Sequence, residues 1–178
     1  RDLPPLPTDW VNLCLFAASY YQAAPGEALL QAIPTGLRKP DPTKRRALKH
    51  PETIVGRVDA RPVLTVGQAA VVDQLSARLE GYSANLLFGV TGSGKTEVYL
   101  RLIEAALARD QQVLLLVPEI NLTPLLEARV TRRFPDVPVV SLHSEVTEAA
   151  RARHFAAALN GEARIVIGTR LAVFTPMP

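Results

Sequence analysis

The sequence predicts an α/β fold in which helices flank a parallel sheet, preceded by a small helical segment. Three observations carry this prediction. From about residue 63, short aliphatic runs alternate with stretches of helical length, as is typical of parallel strands joined by helices. The run at residues 113–117 is wholly aliphatic, as expected for a strand covered on both faces. A glycine-rich loop at residues 89–96 separates one such run from the next helical stretch.

Composition limits the class of protein. The chain has 178 residues, of which 48% are hydrophobic, so it can form one domain with a small appendage. The net charge of +3 permits a polyanionic partner without requiring one. The single cysteine, Cys14, excludes an internal disulfide and a cysteine zinc site, and it favours a reducing cytoplasm. No apolar run approaches the ~20 residues of a membrane span, so no membrane partner is expected.

The first part of the chain, to about residue 62, is rich in proline. Thr8 is predicted to cap a helix that carries Trp10, and a second short helix is predicted to follow Pro25. Residues 39–62 are basic and interrupted by prolines, which predicts a linker between a helical segment at residues 1–38 and a domain at residues 63–178.

The second part contains the alternating elements. Helices are predicted at residues 68–79, 95–109, 124–134 and 148–159. Strands are predicted at residues 84–88, 113–117, 137–141 and 163–168.

The loop at residues 89–96 matches the phosphate-binding pattern G-x-x-x-x-G-K-[ST]. Glycines let the backbone wrap a phosphate closely, and the following helix adds its positive N-terminal dipole. Lys95 is expected to reach the β- and γ-phosphates, and the Thr96 hydroxyl to hold Mg²⁺. A glycine turn without function is the alternative, but a strand before the loop and a helix after it favour nucleotide binding. The predicted cofactor-binding residues are Gly89, Val90, Thr91, Gly92, Ser93, Gly94, Lys95 and Thr96.

Gln68 precedes the loop and has two possible roles. Its amide can donate to and accept from an adenine edge at once. The spacing Thr65-x-x-Gln68 also matches a helix capping box. Both roles can hold together, because a capped amide is a well-oriented one.

Three further segments follow predicted strands, where ligands of parallel sheets gather. Thr123 could hold a nucleic-acid phosphate, or Thr123-Pro124 could simply start a helix. His143 and Ser144 follow the third strand, and a lone histidine is usually a surface or structural residue. Thr169 and Arg170 follow a glycine at the end of the fourth strand, a combination that suits a phosphate backbone.

These segments together resemble the first motor lobe of superfamily 2 helicases, and more narrowly the PriA (primosomal protein N′) family of replication-restart DNA helicases. The resemblance rests on Leu87-Phe88-Gly89-Val90-Thr91-Gly92-Ser93-Gly94-Lys95-Thr96-Glu97-Val98-Tyr99-Leu100, and continues at residues 116–124, 142–144 and 161–170. Residues 17–38 resemble the segment that joins the family's N-terminal DNA-binding domain to the rest of the protein.

The resemblance implies a RecA-like P-loop NTPase lobe that uses ATP and Mg²⁺. It implies a cytoplasmic 3′-to-5′ helicase that binds branched or forked DNA, works with single-strand-binding protein and primosome proteins, and restarts stalled replication forks. Lys95 and Thr96 are the implied catalytic residues of this chain. The implied DNA contacts are Thr123, His143, Ser144, Thr169 and Arg170.

Several family features differ from this sequence. Residues 39–62 are too short for a winged-helix domain, Leu125 stands where the family tends to have Gln, and Leu171 stands where Ser is usual. The N-terminal DNA-binding domain, the Asp-Glu-Glu-His motif, the second lobe and the zinc-binding cysteines do not occur in the 178 residues. The sequence is therefore expected to be a fragment without ATPase activity of its own, and zinc is expected only in a missing C-terminal part.

Two alternatives stay open. One is a non-enzymatic DNA-binding scaffold, related to PriA, that has lost motor activity. The other is a small-molecule kinase that uses the same phosphate loop, although no lid or acceptor site is evident in the sequence.

Overall fold

The computed structural model describes residues 3–38, 61–118 and 122–178. The helices are α1 (Thr8–Tyr20), α2 (Pro25–Ala32), α3 (Val66–Ser76), α4 (Lys95–Leu107), α5 (Thr123–Arg133) and α6 (Glu148–Leu159). Two short 3₁₀ helices cover Thr35–Leu37 and Arg170–Phe174. All six predicted α-helices are thus confirmed, with ends that differ by a few residues. The predicted linker lies almost entirely outside the described residues.

Within the described ranges, three parallel strands form the sheet. They are β1 (Val113–Leu116), β2 (Val139–Leu142) and β3 (Ile165–Gly168), in the order β1-β3-β2. The last residues of the outer strands, Leu116 and Leu142, both pair with Gly168, so all three strands end at the same edge. The predicted α/β class with a parallel sheet flanked by helices is confirmed.

The central strand, β3, is fully buried because each of its faces packs against a separate cluster. Ile165 and Ile167 point to one side and pack with residues of α4 and α5, among them Ile103 and Val130. Val166 points to the other side, where it meets alanines of α6 and the end of β2. This alternation is the two-residue period of a strand between two helical layers.

The predicted strand at residues 84–88 is wrong. These residues belong to no strand, and among the described residues none forms a ladder with them. Leu86 and Phe88 are 89% and 91% exposed. A short apolar run is compatible with a strand, but it becomes one only where a neighbouring strand supplies backbone hydrogen bonds.

The predicted helix cap at Thr8 is also wrong. Thr8 is the first helical residue of α1, Pro7 is the N-cap, and no side chain caps this helix. The hydroxyl of a residue that is already helical cannot reach back to the first-turn N–H groups in the way that an N-cap side chain does. By contrast, the capping box of Thr65 and Gln68 at the start of α3 is confirmed.

The N-terminal helical segment packs onto the sheet domain. Trp10, Cys14 and Ala18 lie one turn apart on the buried face of α1. The indole of Trp10 meets Phe155 of α6 edge to face, with ring centroids 6.4 Å apart. Its Nε1 donates a 2.7 Å hydrogen bond to the carbonyl oxygen of Phe174. One end of the chain is therefore held against the other by an aromatic anchor with a satisfied polar atom.

Among the described helices, none combines the length and the apolar character needed to cross a lipid bilayer.

Gly168 provides a sharp test of the close packing at the ends of β2 and β3. A Cβ atom at Gly168 would collide with the backbone carbonyl oxygen of Leu142 and with the Cβ of Ala172. We expect Gly168→Ala to lower the free energy of unfolding by about 1–3 kcal/mol in a urea titration, the range for overpacked sites. Gly67→Ala is the matched control, because a Cβ at Gly67 meets nothing within 4 Å. An equal loss in both variants would contradict the close packing of Gly168.

His154 predicts a pH dependence of stability. Its Nδ1 lies 2.7 Å from the carbonyl oxygen of Ser141. Burial lowers the pKa of the imidazole, and the charges of Arg153 and His143 lower it further. The hydrogen bond with Ser141 and the charge of Glu127 act in the opposite direction but do not reverse the shift.

In the folded protein the His154 imidazole therefore binds a proton only at a lower pH than in the unfolded chain, where its pKa is about 6.5. The unfolded state then binds more protons, so the free energy of unfolding should fall as the pH drops below about 6.5. Urea titrations between about pH 7.5 and 5 check this expectation. The decline should be smaller in His154→Gln, and an identical decline in both proteins would refute the assignment.

Candidate nucleotide and nucleic-acid sites

The glycine-rich loop ends at the N-terminus of α4. Residues 91–93 form a turn, in which the N–H of Ser93 donates to the carbonyl oxygen of Val90 at 3.2 Å. Gly94 is the N-cap of α4 and has a left-handed φ of 81°, a conformation that side-chain-bearing residues rarely adopt. The first N–H groups of α4 have no partner within the helix, which makes this end suited to an anion.

Lys95 folds back over the loop. Its Nζ donates to the carbonyl oxygen of Gly89 at 2.5 Å and to that of Val90 at 2.8 Å. An ammonium group carries three hydrogens, so one donor of Lys95 remains for a phosphate oxygen. Thr96, the residue predicted to hold Mg²⁺, follows in the first turn of α4 and is partly exposed.

Gln68 connects α3 to the loop. Its Oε1 accepts a hydrogen bond from the N–H of Thr65 at 2.9 Å, and its Nε2 donates to the carbonyl oxygen of Ser93 at 3.0 Å. The capping interpretation is confirmed, and the amide is oriented at the rim of the loop. The amide still has one N–H and one oxygen lone pair for an adenine edge, so that predicted contact stays a prediction.

A cavity of about 730 Å³ lies beside the loop. Thr91, Gly92 and the first turn of α4 line one side, and α5 contributes Arg129 and Arg133 on the other. Its size lies within the roughly 300–1,000 Å³ of small-molecule sites. Two cations therefore face the same space as the phosphate loop.

Glu97 holds the two helices together at this cavity. Its Oε1 accepts from Nε of Arg101 at 2.9 Å and from Nη2 of Arg133 at 2.8 Å. The side chain of Arg133 is only 3% exposed and that of Glu97 is 14% exposed. A buried guanidinium needs such a charged partner, because an unpaired buried charge is costly. Sequence patterns did not reveal this ion pair, because its partners are 36 residues apart.

A second cleft forms at the carboxyl ends of β2 and β3. The two strands end side by side, so His143 and Ser144 lie next to Thr169 and Arg170, and all four line the cleft. The N–H of Thr169 donates to the carbonyl oxygen of Leu142 at 3.2 Å, which fixes the two strand ends together. The structure thus brings together four of the five residues that were expected to contact DNA.

Thr123 is the fifth, and it lies outside the residues that line this cleft. It is the first helical residue of α5, so the interpretation that Thr123-Pro124 starts a helix is confirmed, although Leu122 and not Thr123 is the N-cap. The Thr123 hydroxyl is fully buried and has no hydrogen-bond partner in the described part of the chain. Its role toward a phosphate stays a prediction, and most of the preceding segment, residues 119–121, lies outside the described residues.

The opposite wall of the cleft comes from the N-terminal segment and α6, which residue patterns did not predict. It includes Tyr21, Arg38 and Arg151. The aromatic pair Tyr20-Tyr21 was visible in the sequence, but only the packing of α1 against α6 places Tyr21 beside the strand ends.

The ion pair at Glu97 can be tested with a matched variant. We expect Glu97→Gln to lower the free energy of unfolding by about 3 kcal/mol, because it leaves Arg133 buried without a countercharge. Glu104→Gln is the control, since Glu104 lies on the same helix but pairs with Arg61, whose side chain is 60% exposed. That exposed pair should contribute less than about 1 kcal/mol. Similar losses in urea titrations of the two variants would contradict a special role for Glu97.

Comparison with known proteins identifies the family of the chain. The profile of the DEAD/DEAH box helicase family matches residues 65–177. The chain is 46% identical over 117 residues to "Replication restart protein PriA" of Synechocystis sp., which covers 66% of this chain and 14% of that protein. It is 47% identical over 115 residues to the protein of the same name from Haemophilus influenzae, covering 65% of this chain and 16% of that protein.

A third relative extends the match toward the N-terminus. "Replication restart protein PriA" of Helicobacter pylori is 32% identical over 167 residues, which is 94% of this chain and 24% of that protein. The chain thus spans at most about a quarter of the length of these relatives. The chain belongs to the DEAD/DEAH box helicase family, and within it corresponds to a part of the PriA replication-restart proteins.

Proposed function

We propose that this chain is the nucleotide-binding part of a PriA-type DNA helicase. The full protein would bind ATP with Mg²⁺, engage forked DNA, move in the 3′-to-5′ direction and restart stalled replication forks in the cytoplasm. The observation that carries the proposal is the loop of residues 89–96, held at the N-terminus of α4 with Lys95 folded over it. Similarity to PriA proteins over 94% of the chain supports it.

The loop residues fit a nucleotide. A Cβ at Gly89 would meet the hydroxyl of Ser93 and the Lys95 side chain, and a Cβ at Gly94 would meet the amide of Gln68. Glycine at both positions keeps this backbone surface open to phosphate. When bound, ATP supplies the terminal phosphoryl group and Mg²⁺ offsets its charge. Lys95 would bind phosphate oxygens, Thr96 would hold the metal ion, and Gln68 would contact adenine.

Hydrolysis needs more groups than the loop contains. A carboxylate or amide must orient the attacking water, and an arginine usually stabilises the transferring phosphoryl group. In the proposed assignment those groups belong to other parts of the full-length protein. The 178 residues alone should therefore bind nucleotide weakly and hydrolyse it negligibly.

The cleft at the ends of β2 and β3 is the proposed DNA side of the lobe. A buried neutral strand end followed by a hydroxyl and a fixed cation is suited to a phosphate backbone. His143, Ser144, Thr169 and Arg170 supply these groups, and Arg170 is exposed. Single-strand-binding protein and other primosome proteins are the proposed partners of the complete helicase.

A DNA-binding scaffold without motor activity is the second candidate. Leu125 and Leu171, which differ from the residues that are usual in the family, are 65% and 67% exposed. Apolar side chains at these exposed positions would weaken polar contacts with DNA or nucleotide. ATP hydrolysis by the full-length protein separates the two candidates, since a scaffold would bind forked DNA without turnover.

Lys95→Ala tests the nucleotide site. Removing a charged donor to a phosphate should weaken binding of a fluorescent ATP analogue about 10- to 100-fold, with the circular dichroism spectrum unchanged. Arg153→Ala, an exposed cation on α6 away from the loop, should bind as the unchanged chain does. Binding that survives Lys95→Ala would contradict the nucleotide assignment.

The same substitution tests the helicase in the full-length protein. Unwinding of a forked duplex by the full-length protein should require ATP and should stop in Lys95→Ala. ATP-independent DNA binding without unwinding would instead support the scaffold.

A further inference from the structure

A row of exposed aromatic rings lies at the end of α1. Phe16 stacks on Tyr20 with ring centroids 6.0 Å apart and an interplanar angle of 29°. Tyr20 meets Tyr21 edge to face at 5.0 Å. The three residues are 65%, 70% and 77% exposed. Clustered exposed rings of this kind commonly mark a binding surface.

The row ends at the cleft that contains the strand-end residues. Tyr21 lines the cleft together with His143, Thr169 and Arg170. The reason is the helical period: Ala18 is on the buried face of α1, and Tyr21, three residues later, lies close to the same side. Phe16 and Tyr20 do not line the cleft, so the row runs from Tyr21 at the cleft back along α1.

The position of Tyr21 is fixed by both ends of α1. At the start of the helix, the Trp10 anchor holds α1 against α6 and the chain's last segment. At its end, Gln22 adopts a left-handed φ of 53°, and the N–H of Ala23 donates to the carbonyl oxygen of Ala18 at 2.8 Å. This closing turn ends the helix at Tyr20, and Tyr21 is the C-cap. The backbone of Tyr21 is therefore held at the end of α1, where its N–H donates to the carbonyl oxygen of Ala17 at 3.0 Å.

The cleft carries more positive than negative side chains. Arg38, Arg151 and Arg170 line it, against two carboxylates, Glu27 and Glu148. Arg151 donates to the carbonyl oxygen of His143 at 3.3 Å, so one arginine also supports the end of β2. Nδ1 of His143 is buried and has no hydrogen-bond partner among the described residues. The cleft has a volume of about 480 Å³ and is open to solvent beside Tyr21.

We propose that Tyr21, supported by Tyr20 and Phe16, is a base-stacking platform for single-stranded nucleic acid whose phosphates lie against Thr169 and Arg170. Aromatic faces next to a groove with excess positive charge are the combination that binds single strands without sequence preference. The inference rests on the DNA side of the proposed function and adds a second wall to it, built from the N-terminal segment. A protein partner that bound the same aromatic rings would require neither the arginines of the cleft nor the hydroxyl of Thr169.

Fluorescence anisotropy with a labelled oligothymidylate of about ten nucleotides tests the platform on the 178-residue chain. Tyr21→Ser should weaken binding about 10-fold, the loss expected for one base–aromatic stack. Tyr21→Phe should keep the affinity, because the ring face remains. Tyr82→Ser is the matched control, since Tyr82 is 96% exposed and lies outside the cleft.

Two further measurements separate stacking from phosphate contact. Tyr21→Ser should leave the dependence of affinity on salt unchanged, whereas Arg170→Gln should reduce its slope by about one. An abasic oligonucleotide of the same length should bind the unchanged chain and Tyr21→Ser equally, because it has no bases to stack.

The possible failures are distinguishable. If Arg170→Gln weakens binding and Tyr21→Ser does not, the platform is refuted while the DNA side of the proposed function stands. If Tyr21→Ser weakens binding of the abasic strand equally, the ring does not stack on bases and the inference is again refuted. If the unchanged chain binds no single strand at all, both the platform and the DNA side of the proposed function are contradicted.

Discussion

The pairing of β3 with both of its neighbours is the constraint on which the other features depend. Ile165, Val166 and Ile167 are completely buried, and a one-residue slip of this strand would exchange the isoleucines and the valine between the two core clusters. Gly168 then permits a backbone approach to Leu142 that any side chain would block. Because the three strands stop together at this point, the segments that follow them emerge at one edge of the sheet.

That shared edge gains its second wall from the N-terminus of the chain. The buried face of α1 repeats every four residues, and its anchor, Trp10, reaches the carbonyl oxygen of Phe174. This arrangement ties a helix at the start of the described chain to the 3₁₀ helix that begins at Arg170. The packing of the N-terminal segment therefore contributes to the shape of the strand-end cleft.

The phosphate loop is supported mainly from its two flanking helices. Gln68 of α3 holds the carbonyl oxygen of Ser93, and Lys95 of α4 holds those of Gly89 and Val90. Neither support comes from the sheet, because the apolar segment before the loop is exposed. The Glu97–Arg133 ion pair then joins the first turn of α4 to the last turn of α5. The helix that begins at the loop is thereby joined to α5 by one carboxylate.

The sequence alone determined the features that depend on near neighbours. The predicted bounds of α6 are those observed, the capping box of Thr65 and Gln68 forms, and α4 begins at the lysine of the phosphate-binding pattern. Periodicity, capping and left-handed glycines act within a few residues, so they can be recognised from the order of residues.

The tertiary structure decided the features in which residues far apart in the sequence come into contact. Residues 84–88 have the composition of a strand, yet no neighbouring strand in the described chain supplies their hydrogen bonds. Thr123 is suited to cap a helix, but it lies one residue inside α5. Tyr21 reaches the strand-end cleft only because α1 packs on α6. Burial, strand pairing and ion pairs across many residues are long-range terms, so local pattern predicts which groups are present but not where they meet.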